Sequence, residues 1–318
     1  MERILVTGAL GQIGSELVAE LRNSYGSENV VASDIRVPRA EFLRTDGPFE
    51  YVDCTNQDQI QEAVVRHRID TIYHLAALLS AVAEEKPQQA WEINMGGLFH
   101  VLEVARKLGC SVFTPSSIGA FGSETPKDLT PQDTLQRPST MYGVTKVAGE
   151  LLCDYYYERF GVDTRGVRFP GIISHVAQPG GGTTDYAVEI FYQALRYEHF
   201  TCFLTAETRL DMMYMPDAIR AAVKVMEAEP GRLVHRNAFN VTAMNFTPEE
   251  LADAIRAHIP GFVIEYDPDP VRQKIADSWP NSLDDSSARS EWDWQPQYDL
   301  ESMVADMIDN LRRKLKNE

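Results

Sequence analysis

Apolar Ile4, Leu5 and Val6 form an unbroken run, and Ile13, Leu17 and Leu21 then recur at helical spacing. The segment "RILVTGALGQIGSELVAELRNSYG" therefore predicts a buried strand, a glycine turn and an amphipathic helix. The same alternation continues. Strands are predicted at 29–35, 49–56, 70–77 and 111–117, with helices over 57–69 and 87–109 between them. After a proline-containing loop (124–138), a helix over 140–161 and a sixth strand over 163–173 follow. Strands alternating with helices over this length predict an α/β chain with a parallel sheet covered on both faces. A helix ending before Pro230 and capped by Asp217 comes next, then a last sheet strand at 237–243. Beyond residue 246 the pattern changes to a helix, the strand "FVIEYD", a Pro/Asp-rich stretch and a final helix over 299–315. These boundaries suggest a larger unit, 1–173 with 208–243, and a smaller α/β unit, 174–207 with 244–318.

A formal charge of −17 argues against nucleic acid or an anionic membrane as partner, since affinity for phosphate surfaces depends on Lys and Arg. Cys54, Cys110, Cys153 and Cys202 are scattered without C-x-x-C spacing, which points to reduced thiols and to no zinc or other metal site. The apolar stretch "LAALLSAVA" (75–83) is too short to span a bilayer. With a strand beginning at residue 3, no leader is expected, and the cytoplasm is the expected compartment.

Gly8, Gly11 and Gly14 fall at the first strand–helix turn, where backbone N–H groups and a helix N-terminus can meet a pyrophosphate. The spacing is G-x-x-G-x-x-G rather than G-x-G-x-x-G, and the position at the first turn carries the argument. Asp34 ends the second strand, twenty residues after Gly14, where a carboxylate can accept both ribose hydroxyls of NAD and repel a 2′-phosphate. Arg36 is the residue nearby that could favour NADP instead. Asp53 either faces the adenine or caps its own loop.

"SS" (116–117) follows the fifth strand, and "YGVTK" (142–146) opens the next helix with Tyr142 and Lys146 on one face. Together with the glycine turn, this constellation resembles the extended short-chain dehydrogenase/reductase superfamily, over most of the chain. The resemblance implies a Rossmann-type doubly wound sheet with NAD held by Gly8, Gly11, Gln12, Ile13, Gly14, Asp34, Arg36, Asp53, Cys54, Leu75, Ala76, Ala77, Asn94 and Ile172, besides Tyr142 and Lys146. It assigns catalysis to Ser117, Tyr142 and Lys146, with Ser116 as the alternative serine; His74 is expected to be a satisfied strand-end histidine. A free phenol, of pKa about 10, is a poor base near neutrality, and a neighbouring ammonium favours the phenolate.

Three further segments, "AALLSAVAE", "PGGGTTDYAVEIFYQAL" (179–195) and "IADSWPNSLDDSSARSEWDW" (275–294), look like the short-chain L-threonine 3-dehydrogenases. That resemblance implies L-threonine as the small-molecule substrate, oxidised to L-2-amino-3-oxobutanoate. It implies substrate contacts from Ser80, Ser117, Tyr142, Trp279 and one of Gly182, Thr183 or Thr184, with Thr184 first. Asp185 reads as the N-cap of the following helix, or as a counter-charge to the substrate ammonium. The resemblance further implies a homodimer through the helices at 87–109 and 140–160. A nucleotide-sugar 4-epimerase or dehydratase is the rival on the same scaffold. It would need a cation cluster for a nucleotide diphosphate, and Arg196, Arg256 and Arg272 are dispersed. A cofactor-sensing protein without catalysis would not need the Tyr–Lys pair.

Overall fold

The computed structural model describes residues 1–36, 47–177 and 182–316. The first strand, β1 (Ile4–Thr7), and first helix, α1 (Gln12–Tyr25), form where the apolar pattern places them. They are followed by β2 (Val30–Asp34), β3 (Phe49–Tyr51), α2 (Gln57–His67), β4 (Thr71–His74), α3 (Ser80–Glu85) and α4 (Pro87–Trp91). A π-helical turn over Glu92–Gly96 joins α4 to α5 (Gly97–Leu108). Next come β5 (Ser111–Phe113), β6 (Ser116–Ser117), α6 (Met141–Phe160) and three short strands, β7 (Thr164–Arg165), β8 (Val167–Phe169) and β9 (Gly171–Ile173).

Six strands pair in parallel in the order β3-β2-β1-β4-β5-β7. Ile4 lies opposite both Val30 and Thr71, so the strand order reverses between β1 and β4. Successive side chains leave opposite faces, and both faces are buried. On one, Leu5, Val31, Ile72 and Val112 pack with Ile60 and Val64 of α2, Val101 and Leu102 of α5 and Cys153 of α6. On the other, Ile4, Val6, Ala32, Tyr73 and Phe113 pack with Leu17 and Leu21 of α1 and with Trp292 and Trp294. This is the doubly wound Rossmann-type sheet that the alternating pattern predicts.

A second core gathers α7 (Tyr186–Tyr197), β10 (His199–Cys202), β11 (Leu210–Tyr214), and, beyond α8 (Met215–Glu227) and β12 (Phe239–Asn240), β13 (Met244–Phe246), α9 (Pro248–Arg256) and β14 (Val263–Tyr266). After α10 (Pro270–Ala276) and α11 (Ser286–Trp292), α12 (Leu300–Leu315) closes this core with Met303, Val304, Met307, Ile308 and Leu311. No helix among the described residues is long and apolar enough to cross a membrane.

Several elements depart from the sequence reading. The strand expected at 163–173 is broken by Gly166 and Pro170, and its pieces join three different sheets: β7 with β5, β8 with β6 and β12, β9 with β11. A Cβ at 166 would stand 2.3 Å from the Thr114 carbonyl, and Pro170 has no N–H for a ladder. Pro115 likewise separates β5 from β6, so residues 111–117 do not form one strand. The strand expected at 237–243 shrinks to Phe239–Asn240 and pairs with β8 outside the main sheet. The helix expected over 87–109 is interrupted by the π turn.

Asp217 does not cap α8, because Tyr214 holds that position. Its fully buried carboxylate instead pairs with Arg220 and accepts the N–H groups of Gln297 and Tyr298 at 3.0–3.1 Å, fastening the approach to α12. Asp217→Ala leaves those buried donors unpaired and is expected to lower the unfolding free energy by about 2–4 kcal/mol. Urea denaturation measures this, and an unchanged midpoint would remove Asp217 from the fastening.

Candidate active site

Two adjoining cavities open at the carboxyl ends of β1, β4 and β5, where open α/β sheets bind ligands. The wider, about 960 Å³, runs past Gly8, Gly11, Gln12, Asp34, Arg36, Asp53, Cys54, Leu75, Ala76 and Ala77. The narrower, about 240 Å³, is lined by Ile13, Gly14, Ser80, Ser117, Tyr142, Lys146, Ile172, Gly182, Thr183, Thr184 and Trp279. Gly8, Gly11, Gln12, Leu75 and Ala77 border both.

The glycine turn is shaped by close approach. Gly8 has φ +70°, and a Cβ there would stand 2.7 Å from the Ala76 N; one on Gly14 would stand 2.3 Å from the Gly8 carbonyl. Gly11, the N-cap of α1, has no side chain to cap the helix, which leaves its positive end facing the cavity. Gln12 Nε2 is buried with no partner. An uncapped helix end and an orphaned donor at one place fit a phosphate-bearing cofactor.

Asp34 Oδ1 and Oδ2 accept from Arg36 Nε and Nη2 at 2.9 and 3.0 Å, and Leu10 N–H adds a third contact at 3.0 Å. Burial alone would push this carboxyl up; the Arg36 and N–H contacts outweigh it and hold the group below the usual carboxylate range. Asp53 Oδ1 accepts from Thr55 N and Oγ1, so the carboxylate caps its own loop while lining the cavity. Burial, reinforced by Asp53, pushes the Cys54 thiol up to about 11, which keeps it protonated near neutrality.

Thr140 caps α6 by accepting Gly143 N–H, so the helix starts with Tyr142 and Lys146 on one face. Lys146 Nζ donates to the Pro115 carbonyl at 2.7 Å and lies 5.3 Å from the Tyr142 ring centroid. The ring packs on Gly119, where a Cβ would be 3.1 Å from it. Ser117 Oγ accepts Gly119 N–H at 3.1 Å, and its own O–H remains a donor. Ser116 is engaged elsewhere: it bonds Glu150, which also takes a bidentate pair from buried Arg168 at 2.8 and 3.0 Å and the Gln136 amide at 2.7 Å.

His74 Nδ1 lies 2.8 Å from Thr7 Oγ1, while its Nε2 is buried without a partner. Burial, with the Lys146 charge adding to it, pushes the imidazole down to about 3, so it is neutral near pH 7 and unsuited to carrying a proton there.

Asn94 sits in the π turn, a feature common at functional sites. Its amide holds the Leu78 backbone on both sides and donates to Thr145 Oγ1. It borders a small cavity behind Lys146 and acts on the 75–79 loop rather than presenting a free group to the wider cleft.

Asp185 stands at the start of α7 but makes no side-chain cap bond; its Oδ2 accepts Gly182 N–H at 2.6 Å, and the residue lines the narrow cavity. Asp185 thus holds the N-cap position that the sequence predicts, without capping through its side chain. Thr184 is seated by Gly171, where a Cβ would stand 2.7 Å from the threonine methyl. Pro179, Gly180 and Gly181 of the second glycine loop lie outside the described residues. Trp279 lines the cavity and packs in the second core.

Asp185, read from the sequence as an N-cap or a counter-charge, lines the narrow cavity, whereas several other lining residues had no signal, Lys314 at the far end of the chain above all. Among the described residues no three His, Cys, Asp or Glu side chains gather as a metal site, and all four cysteines are buried and unpaired.

Residues 4–241 match the NAD dependent epimerase/dehydratase family, and the chain belongs to it, in the extended short-chain dehydrogenase/reductase class. It is an enzyme of that family, and NAD is its cofactor. Within the family its similarity is specific. An L-threonine dehydrogenase from Clostridium difficile is 60% identical, with a TM-score of 0.97 over 99% of this chain and 98% of that one. The holo form of an L-threonine dehydrogenase from Cupriavidus necator is 50% identical, with a TM-score of 0.94 over 97% and 99%. An uncharacterized epimerase/dehydratase of Staphylococcus haemolyticus is 55% identical over the whole of both chains.

Asp34 is expected to set the choice of dinucleotide. Asp34→Ser should weaken NADH binding and narrow its advantage over NADPH by roughly tenfold or more. Fluorescence titration with both measures it, and equal wild-type affinities would overturn the assignment.

Proposed function

We propose that the chain is an L-threonine 3-dehydrogenase that oxidises the 3-hydroxyl of L-threonine to L-2-amino-3-oxobutanoate. The observation that supports this most is that Thr183, Thr184 and Asp185 line the same cavity as Tyr142, Lys146 and Ser117. The L-threonine dehydrogenases similar to this chain over nearly its whole length favour the same substrate.

NAD, bound along the wider cavity by the glycine turn and Asp34, supplies a hydride acceptor. Tyr142 takes the proton from the substrate hydroxyl. Lys146, steadied by the Pro115 carbonyl, favours the phenolate that does so. Ser117, rather than Ser116, donates to the reacting oxygen and fixes its direction, since the Ser116 hydroxyl is engaged by Glu150. Asp185 is placed to meet the substrate ammonium. Because Gly182 N–H is already engaged by Asp185, the hydroxyls of Ser80 and Thr184 are the better donors for the carboxylate. Trp279 covers the cavity from the smaller unit, 174–207 with 244–318, which we assign to substrate binding; the larger, 1–173 with 208–243, holds the cofactor.

The assembly we propose is a cytoplasmic homodimer. Trp91, Phe99, Val144, Leu151 and Tyr155 are exposed on α4, α5 and α6, which pack against one another, and these large apolar side chains are ones a partner would cover.

Absorbance at 340 nm should rise with L-threonine; no rise with L-threonine, together with conversion of UDP-galactose without net NADH formation, would favour the sugar-nucleotide reading. Tyr142→Phe should lower turnover by at least about a hundredfold while NAD binding is nearly retained, and wild-type turnover in that variant would remove Tyr142 as the base. Thr184→Ala should raise the threonine KM by roughly three- to tenfold with a smaller effect on NAD, and an unchanged KM would move the contact to a neighbour.

A further inference from the structure

Lys314 lies in the last turn of α12, far in sequence from every other residue of the wider cavity, yet it lines that cavity together with the glycine turn. Its ammonium does not serve its own helix end. It donates to the carbonyls of Val176 at 3.0 Å and His175 at 3.3 Å and to the Tyr192 hydroxyl at 3.2 Å. Three N–H groups thus meet three neutral oxygens, and the group is held in one place without being neutralised. Among the described residues it has no carboxylate at ion-pair distance.

The other charges on the same wall make this cation consequential. Among the described lining residues Asp34 and Asp53 are acidic, and Arg36, the other cation, is bound bidentately to Asp34. Without Lys314 these described residues would carry a net negative charge, in a chain that is itself at −17, against a ligand whose diphosphate is dianionic. Fixed positive charge in a concave, partly dry site attracts such a ligand even without touching it.

We infer that Lys314 is an affinity residue for the cofactor: its fixed ammonium draws the dinucleotide's diphosphate into the cleft, while its bonds to 175–176 hold the cleft wall. The smaller core thereby contributes charge to cofactor binding through α12. The inference rests on NAD occupying this cleft and not on the identity of the substrate.

The test is isothermal titration of the full chain with ADP-ribose and, separately, with adenosine, which lacks the phosphates. Lys314→Gln keeps a hydrogen-bond donor and removes the charge; Lys314→Arg keeps the charge. Arg313→Gln removes one charge from the same turn, where Arg313 bonds Asp309 and Asn310 and does not line the cavity.

Lys314→Gln is expected to weaken ADP-ribose about three- to tenfold and to flatten its salt dependence, with adenosine unchanged. Lys314→Arg and Arg313→Gln should stay near wild type. Equal ADP-ribose affinity in Lys314→Gln and wild type would overturn the inference. So would an equal loss for adenosine, which would reduce Lys314 to a structural clamp, or an equal loss in Arg313→Gln, which would make net charge sufficient. Failure of the wild-type chain to bind ADP-ribose at all would instead overturn the placement of the cofactor, and this inference with it.

Discussion

A carboxylate and a guanidinium closed off from solvent, Glu150 and Arg168, hold the helix that carries Tyr142 and Lys146 against the strands beneath it. Glu150 comes one turn after Lys146 on α6, and Arg168 lies on β8 beside β6. Two charges in such a place cost more in lost hydration than they regain unless every donor and acceptor is matched. Here they are matched: both Glu150 oxygens receive Arg168, Ser116 and Gln136 share the carboxylate, and the remaining guanidinium nitrogen reaches Gln132 and Asn240. The helix cannot slide or turn without stranding a charge. The spacing between Tyr142, the Pro115 carbonyl and Ser117 is inherited from that lock.

The cleft is assembled from both cores. The six-stranded sheet brings the carboxyl ends of β1, β4 and β5 together, a direct result of burying both faces of parallel strands. The second core brings Thr183, Thr184, Asp185 and Trp279 to one side and Lys314 to another. Since α7 and α12 pack in one apolar cluster, the surfaces they offer to the two cavities are mechanically joined.

The large features were legible in the sequence because their signals are local and repeated. The run Ile4–Val6 followed by Ile13, Leu17 and Leu21 needs no distant partner to be read as strand and helix, and Tyr142 with Lys146 needs only the helical repeat. What escaped depends on partners far away. Asp217 looks like a cap until the chain near residue 297 folds back onto it, and Lys314 has no motif around it. The long strand at 163–173 failed for a different reason: Gly166 and Pro170 are visible punctuation, but their consequence, one piece in each of three sheets, depends on which backbone approaches each break. The engagement of Ser116 by Glu150 likewise appears only once α6 lies over β6.

The π-helical turn over Glu92–Gly96 places Asn94 so that its amide oxygen accepts the Leu78 N–H and its nitrogen donates to the Leu78 carbonyl. A π turn accommodates its extra residue by widening the coil, and excising one residue would restore ordinary α geometry. Because the bulge absorbs the extra residue, the flanking turns would keep their faces, and the change would fall on the positions within the widened turn, Asn94 among them. Asn94 would lose either Leu78 or its place against Thr145. Chain length across this turn, as well as the identity of residue 94, therefore fixes where the 75–79 loop is held.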